Sequence, residues 1–68
     1  MRQIPWNPDE MTDEELIPAL ESMESDFESC REIEQGFSTK DVIRYRRTLA
    51  RAQARFPNAY LRNALEAR

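Results

Sequence analysis

The chain contains no histidine, one cysteine and one glycine. Without histidine, Cys30 and the serines have no partner to activate them as nucleophiles. One thiol is too few for a structural zinc site and cannot form an intrachain disulfide. A single glycine cannot supply a phosphate-cradling loop. We therefore expect no catalysis, no metal and no cofactor, and we expect Cys30 to be an inert apolar residue in a reducing compartment, the cytoplasm.

Long apolar runs are also absent. The longest run without a polar side chain is LIPAL, at residues 16–20. It is far shorter than the roughly 20 residues that span a bilayer. The first eleven residues contain no apolar segment of the kind found in signal peptides. The sequence therefore predicts a protein that does not enter a membrane.

Charge is divided unevenly along the 68 residues. Residues 1–37 carry eleven acidic and two basic side chains, whereas residues 38–68 carry eight basic and two acidic ones, and the net charge is −3. This asymmetry indicates either a charged partner or pairing between the two halves. A chain this short forms at most one domain with a marginal core, so association with a second copy or another protein would add stability.

The first half has the pattern of one amphipathic helix. TDEE at residues 12–15 is a capping box starting at Thr12, and Met11 and Leu16 have the spacing of a hydrophobic staple. Pro18 predicts a kink, or a new helix beginning there. The apolar seam recurs at heptad-like spacing: Leu16, Leu20, Met23, Phe27 and Cys30. The opposite side carries what we call the acidic stripe: Glu14, Glu21, Glu28 and Glu32.

The second half predicts another helix close behind. Gly36 is expected to end the first helix in a left-handed conformation. STKD at residues 38–41 is a weaker capping box, beginning at Ser38. The second apolar seam is Val42, Tyr45, Leu49, Ala52 and Phe56. Because so short a connection favours antiparallel neighbours, we expect the two seams to face each other.

Prolines mark both ends of the chain. Pro5 and Pro8 around Trp6 predict an extended arm over residues 1–11, which either folds back onto the helices or reaches another molecule. Pro57 predicts either a kink or a break before a short C-terminal helix. The predicted fold is therefore all-α: an antiparallel helical hairpin domain over residues 12–68, with an extended N-terminal arm and a short C-terminal helix, and dimeric.

The second helix has a further apolar stripe, opposite its core-facing seam. We call Ile43, Ala50 and Ala54 the Ile43 stripe, and Arg47 completes its spacing. Small residues let another helix approach closely, although alanine is also simply a good helix former. We predict that this stripe is the seam of a homodimer.

Four arginines form the arginine stripe: Arg44, Arg47, Arg51 and Arg55. They are placed like the residues that flank a coiled-coil seam. We expect them to pair with acids of the first helix, in the same or another subunit, at Glu24, Asp26, Glu28 or Glu34. Exposed pairs contribute only about 0.2–1 kcal/mol each, so the pattern would select a partner more than it stabilises the fold.

Residues 34–52, EQGFSTKDVIRYRRTLARA, resemble the rhythm of a helix-turn-helix motif. The resemblance is a glycine-containing turn followed by a basic helix over residues 39–55, and it implies DNA or RNA binding by that helix. Arg31 and Glu32 depart from it, because they stand where the motif has an apolar and a small residue. The acids of the first half would also repel phosphate.

These observations predict stoichiometric association with a protein target. Small acidic proteins are frequent among bacterial and phage-encoded regulators and inhibitors, and the chain has that size and charge. The alternatives are a nucleic-acid-binding regulator and a structural assembly subunit. The candidate partner-binding residues are Trp6, Glu14, Glu21, Glu28, Glu32, Arg44, Tyr45, Arg47, Arg51 and Arg55.

Overall fold

A computed structural model describes residues 3–32, 36 and 38–65, apart from the side chains of Arg31 and Glu32. A single 3₁₀ turn, Pro8–Glu10, is followed by two long helices, α1 over Asp13–Glu32 and α2 over Thr39–Arg55. No strand occurs among the described residues. The prediction of an all-α fold with two principal helices is confirmed.

The two helices lie antiparallel. Asp13 at the start of α1 pairs with Arg55 at the end of α2, with 3.2 Å between the Arg55 Nε and the Asp13 Oδ1. Further along, the rings of Phe27 and Tyr45 meet edge to face, with centroids 5.2 Å apart. The start of one helix thus lies beside the end of the other, as expected for a hairpin.

The core forms where the two predicted seams meet. Cys30, Val42 and Phe56 are half-buried at its margins. Its buried apolar residues are Met11, Leu16, Ala19, Leu20, Met23, Phe27, Tyr45, Leu49, Ala52 and Ala64. Fully burying one large apolar side chain contributes about 1.5–3 kcal/mol, so this contact between the helices is the principal source of stability.

The start of α1 makes one of the two bonds of the predicted capping box, the one in which Glu15 reaches back to Thr12. The Thr12 amide donates to the Glu15 Oε1 at 2.8 Å, and Met11 and Leu16 are both buried, as the staple requires. α1 continues through Pro18 without interruption, so no new helix begins there. Proline lacks one backbone donor near the helix start, and the buried residues on either side of it hold the helix in place.

The start of α2 is where the sequence places it, but its cap differs. Ser38 is the N-cap, with an extended backbone at φ −67° and ψ 141°, yet its side chain makes no capping hydrogen bond. The left-handed conformation predicted for Gly36 is also wrong, because its φ lies outside that region. The extended backbone at Ser38 therefore contributes to the turn into α2 without a left-handed glycine.

The predicted short C-terminal helix is absent from residues 57–65, which form turns and irregular backbone instead. α2 ends at Arg55, and the Ala59 amide donates to the Phe56 carbonyl at 3.0 Å in a turn. Side chains satisfy the amides that a helix would use: the Tyr45 hydroxyl accepts from the Ala64 amide. Residues 66–68 lie outside the described part of the chain.

Candidate protein-interaction surface

The N-terminal segment lies along α2 and is held there by arginines. The Arg44 Nε donates to the Trp6 carbonyl at 2.6 Å, and its Nη2 donates to the Pro5 carbonyl at 3.5 Å. The same guanidinium lies over the Trp6 ring, 5.5 Å from its centroid, within the range of a cation–π contact. Further along α2, the Arg51 Nη1 donates to the Asp9 carbonyl at 3.2 Å.

The arginine stripe therefore has partners that the sequence did not predict. Arg44 and Arg51 bind backbone carbonyls of the N-terminal segment, and Arg55 pairs with Asp13. Within the chain, these three arginines do not make the predicted pairs with the central acids of α1, because the N-terminal segment lies along their flank of α2. Pairing with acids of another subunit stays a prediction. Glu34, another predicted partner, lies outside the described residues.

The acids of α1 meet other groups. Arg62, which is not in the stripe, pairs with Glu28, with 3.7 Å between the Arg62 Nη1 and the Glu28 Oε1. Glu24 accepts a hydrogen bond from the Tyr45 hydroxyl at 3.0 Å. The charged halves do contact each other, through Arg55 of α2 and through Arg62 of the C-terminal segment.

Tyr45 is a core residue and not a contact residue for a partner. It is 0% exposed, which contradicts its place among the candidate binding residues. Its hydroxyl proton lies within reach of the Glu24 carboxylate at 3.0 Å and the Arg62 carbonyl at 3.1 Å, and its oxygen accepts from the Ala64 amide at 3.0 Å. Burial raises the pKa of the phenol; the Ala64 hydrogen bond opposes this rise, and Glu24 adds to it. Tyr45 therefore remains neutral and connects α1, α2 and the C-terminal segment.

The acidic stripe lies on the exposed side of α1. Glu14 and Glu21 are exposed, and so is Glu28 despite its pairing with Arg62. The side chain of Glu32 lies outside the described part of the chain. The stripe presents charge to solvent but offers few apolar side chains.

α2 has one continuous exposed side, which we call the outer face. At about 100° per residue, its members span roughly 140° around the helix axis. All remaining positions of α2 except Asp41 and Arg55 are buried or half-buried. The outer face consists of Thr39, Lys40, Ile43, Arg46, Arg47, Ala50, Gln53 and Ala54. It contains the whole Ile43 stripe, with Ile43 49% exposed, and three cations without an acid.

Trp6 borders the outer face on the Lys40 side. Its side chain is 57% exposed even though Arg44 holds it. Trp6 and Lys40 line a shallow depression together with Ser38 and Asp41. The sequence identified Trp6 as a contact candidate but carried no sign that Arg44 would place it beside this helix.

A groove lies at the Gly36 end of the hairpin, between α1 and α2. Its volume is about 210 Å³, and Asp26, Ser38, Asp41 and Arg44 contribute its polar groups. Ligand pockets usually have volumes of about 300–1,000 Å³. Among the described residues, no group of three histidine, cysteine or acidic side chains is placed to hold a metal ion.

Comparisons with protein-family models, with curated proteins and with solved structures find no match to this chain. Within the described residues, neither α1 nor α2 has both the length and the apolarity needed to cross a bilayer.

Proposed function

We propose that the protein is a non-catalytic regulator or inhibitor that acts by stoichiometric association with a protein target. The observation that carries this proposal is the outer face of α2. Apart from Asp41 and Arg55, the rest of α2 is buried or half-buried, whereas the side chains of the outer face are exposed in the described structure. Its exposed isoleucine, small alanines and arginines are residue types that suit a helix-binding surface.

The neighbouring Trp6 adds to this argument. Tryptophan and arginine supply a large share of the binding energy at protein interfaces. Trp6 is exposed, and Arg44 holds its backbone and its ring in one position. An aromatic side chain ordered before binding loses less conformational entropy when a partner covers it.

The proposed compartment and origin follow from the cysteine content, the size and the charge of the chain. A lone thiol is compatible with a reducing compartment such as the cytoplasm. A phage-encoded origin agrees with a short, acidic chain. A homodimer through the Ile43 stripe and a role in a larger assembly are the alternatives to this proposal.

Affinity capture from the native host, followed by mass spectrometry, tests the function. We expect one protein to be recovered in stoichiometric amount with the wild-type chain. Recovery of the chain alone in a defined oligomer would favour a structural subunit, and recovery of nucleic acid would favour the nucleic-acid-binding alternative.

Nucleic-acid binding is the second candidate because Lys40, Arg46 and Arg47 lie on one helix face without an acid among them. A gel shift at several salt concentrations distinguishes it, since binding through phosphate contacts falls steeply as salt rises. We expect no retardation of duplex DNA or RNA at physiological salt.

A further inference from the structure

The outer face has a definite arrangement of apolar and charged groups. Ile43, Ala50 and Ala54 form a ridge along its centre. Arg46 lies on one side of this ridge and Arg47 on the other, about 100° apart around the helix axis. The small alanines leave room for a close approach, while Ile43 projects as the one large apolar group.

From this arrangement we infer that the outer face docks an amphipathic helix of another protein, whose apolar strip is flanked on both sides by carboxylates. This inference rests on the proposed function and names its partner class. An apolar strip would cover Ile43 and meet the alanines, and carboxylates on both flanks would pair with Arg46 and Arg47. Complementary charges would steer the encounter and fix the register of the two helices.

A second copy joined by a two-fold axis fits this face poorly. A two-fold interface places the same surface patch against itself. A two-fold axis through the middle of the face would then bring Arg46 and Arg47 of one copy against the same two residues of the other, with no acid on the outer face to separate them. Like charges brought together across an interface cost several kcal/mol.

A head-to-tail arrangement, with the outer face of one copy on α1 of the next, supplies charge but little apolar surface. Among the exposed side chains described on α1, Pro18 is the only apolar one. The others are Asp13, Glu14, Glu21, Ser22, Ser25, Asp26, Glu28 and Ser29. Such a surface would pair with Arg46 and Arg47 but leave Ile43 against carboxylates and hydroxyls.

Trp6 extends the docking surface at the N-terminal end of α2. Lys40 lies on the flank of the outer face next to Arg44, and Arg44 carries Trp6. A helix lying along the outer face would therefore reach the exposed part of the indole. Trp6 would act as the aromatic anchor of the interface, and its fluorescence would report binding.

The test uses the full chain and two designed peptides. Each peptide has about 18 residues, enough for five helical turns, with leucine and alanine along one strip. One carries glutamate on both flanks of the strip, and the other carries lysine at the same positions. We expect the glutamate peptide to give saturable NMR shifts at the amides of Ile43, Ala50 and Ala54 and at the Trp6 indole, and the lysine peptide to give none.

Matched variants distinguish binding at the docking surface from nonspecific binding elsewhere on the protein. We expect R46E/R47E to weaken binding of the glutamate peptide by about tenfold or more, because both flanking pairs become repulsive. I43S should weaken this binding as well. Y60S should not, since Tyr60 is 94% exposed and lies beside α1 residues. Far-ultraviolet circular dichroism of each variant checks that the helices remain.

Several results would overturn the inference. These are the absence of saturable shifts, shifts confined to α1, equal binding of the two peptides, wild-type dimers that protect the outer-face amides, and duplex DNA shifting those amides at physiological salt. Affinity capture from the native host distinguishes failure of this inference from failure of the proposed function. If one protein is still captured by R46E/R47E but is lost with E14K/E21K, the regulator proposal stands and the docking face is wrong. If no protein is captured by the wild type, the regulator proposal fails.

Discussion

At the scale of single residues, the hydroxyl of Tyr45 makes the most connections. Replacing it with phenylalanine keeps the ring in the core but removes bonds to Glu24, to the Arg62 carbonyl and to the Ala64 amide. Leaving a buried donor without a partner costs about 1–3 kcal/mol. We expect Y45F to lower the free energy of unfolding by about that amount, measured by urea denaturation.

Tyr60 provides the control for this substitution. Its side chain is 94% exposed, and surface changes of this kind usually alter stability by less than about 0.5 kcal/mol. We expect Y60F to match the wild type. Equal stability of Y45F and Y60F would show that the Tyr45 hydroxyl does not hold the C-terminal segment.

The same residue predicts a dependence on alkaline pH. Burial raises the pKa of Tyr45 in the folded chain, whereas in the unfolded chain the phenol titrates near its usual value of about 10. Between these two values the unfolded state loses a proton that the folded state keeps, so rising pH favours unfolding. The contribution is constant below about pH 10 and is lost progressively above it.

We therefore expect the stability difference between wild type and Y45F to be constant from pH 7 to about pH 9 and to shrink at higher pH. Urea denaturation of both proteins at each pH measures this difference, and the comparison cancels most titrations that the two proteins share. A difference that grows above pH 10 would mean that the folded chain releases the phenol proton more readily than the unfolded chain, which is the opposite of what burial causes.

At the scale of the helices, the two N-caps provide a matched pair. Glu15 accepts from the Thr12 amide at the start of α1, whereas the Ser38 side chain makes no capping bond at the start of α2. Losing an N-terminal capping bond costs about 0.5–2 kcal/mol. We expect E15A to cost about 1 kcal/mol and S38A less than about 0.5 kcal/mol on the same scale.

Urea denaturation of both variants measures these costs, with E14A as a control for the loss of an acid from the first turn of α1. A larger cost for S38A than for E15A would show that Ser38 caps α2 in solution. It would then restore the capping-box prediction for α2.

The helices were the predictable part of the fold because their signals are local. Each apolar seam repeats within one segment, and Thr12 and Ser38 precede their helices by one residue. The segment without the predicted C-terminal helix instead has its Ala64 amide bound to the Tyr45 hydroxyl, nineteen residues away. Periodicity within the segment cannot show that a distant hydroxyl will take one of its amides.

The candidate surface was predictable to a smaller extent. The Ile43 stripe and Trp6 were identified from spacing and composition, and both are exposed. The partners of Arg44 and Arg51 were not, because backbone carbonyls carry no signature in the sequence. Two prolines remove two backbone donors from the N-terminal segment, but they do not show which arginines its carbonyls will meet.

At the scale of the whole molecule, Arg44 joins the N-terminal segment to the helical hairpin. Its two hydrogen bonds and its contact with Trp6 connect parts of the chain that are 38 or 39 positions apart in sequence. We expect R44Q to lower the free energy of unfolding by about 1–2 kcal/mol, from the lost charge-assisted bonds and cation–π contact. Cleavage of the N-terminal segment by protease should become faster.

R46Q is the matched control, since Arg46 is exposed on the other flank of α2 and loses the same charge. Its stability and cleavage rate should equal those of the wild type. If R44Q and R46Q behave alike, the N-terminal segment is held by its apolar contacts, such as Ile4 against the core, and not by the guanidinium.

Added salt should leave the free energy of unfolding nearly unchanged but weaken binding of the acidic peptide. Two ion pairs between segments within the described residues, Arg55 with Asp13 and Arg62 with Glu28, are more than half exposed on each side chain. Exposed pairs of this kind contribute about 0–1 kcal/mol, and at 1 M salt the screening length falls to about 3 Å. We expect the free energy of unfolding to change by less than about 1 kcal/mol between roughly 0.1 and 1 M sodium chloride, because apolar burial holds the helices together.

Over the same range of salt concentration, binding of the acidic helical peptide should weaken by about tenfold or more, because ions screen the attraction between its carboxylates and the exposed Arg46 and Arg47. Urea denaturation and fluorescence titration on one protein sample measure the two effects. A loss of several kcal/mol of stability would mean instead that attraction between the oppositely charged halves, and not the apolar seams, keeps the hairpin closed.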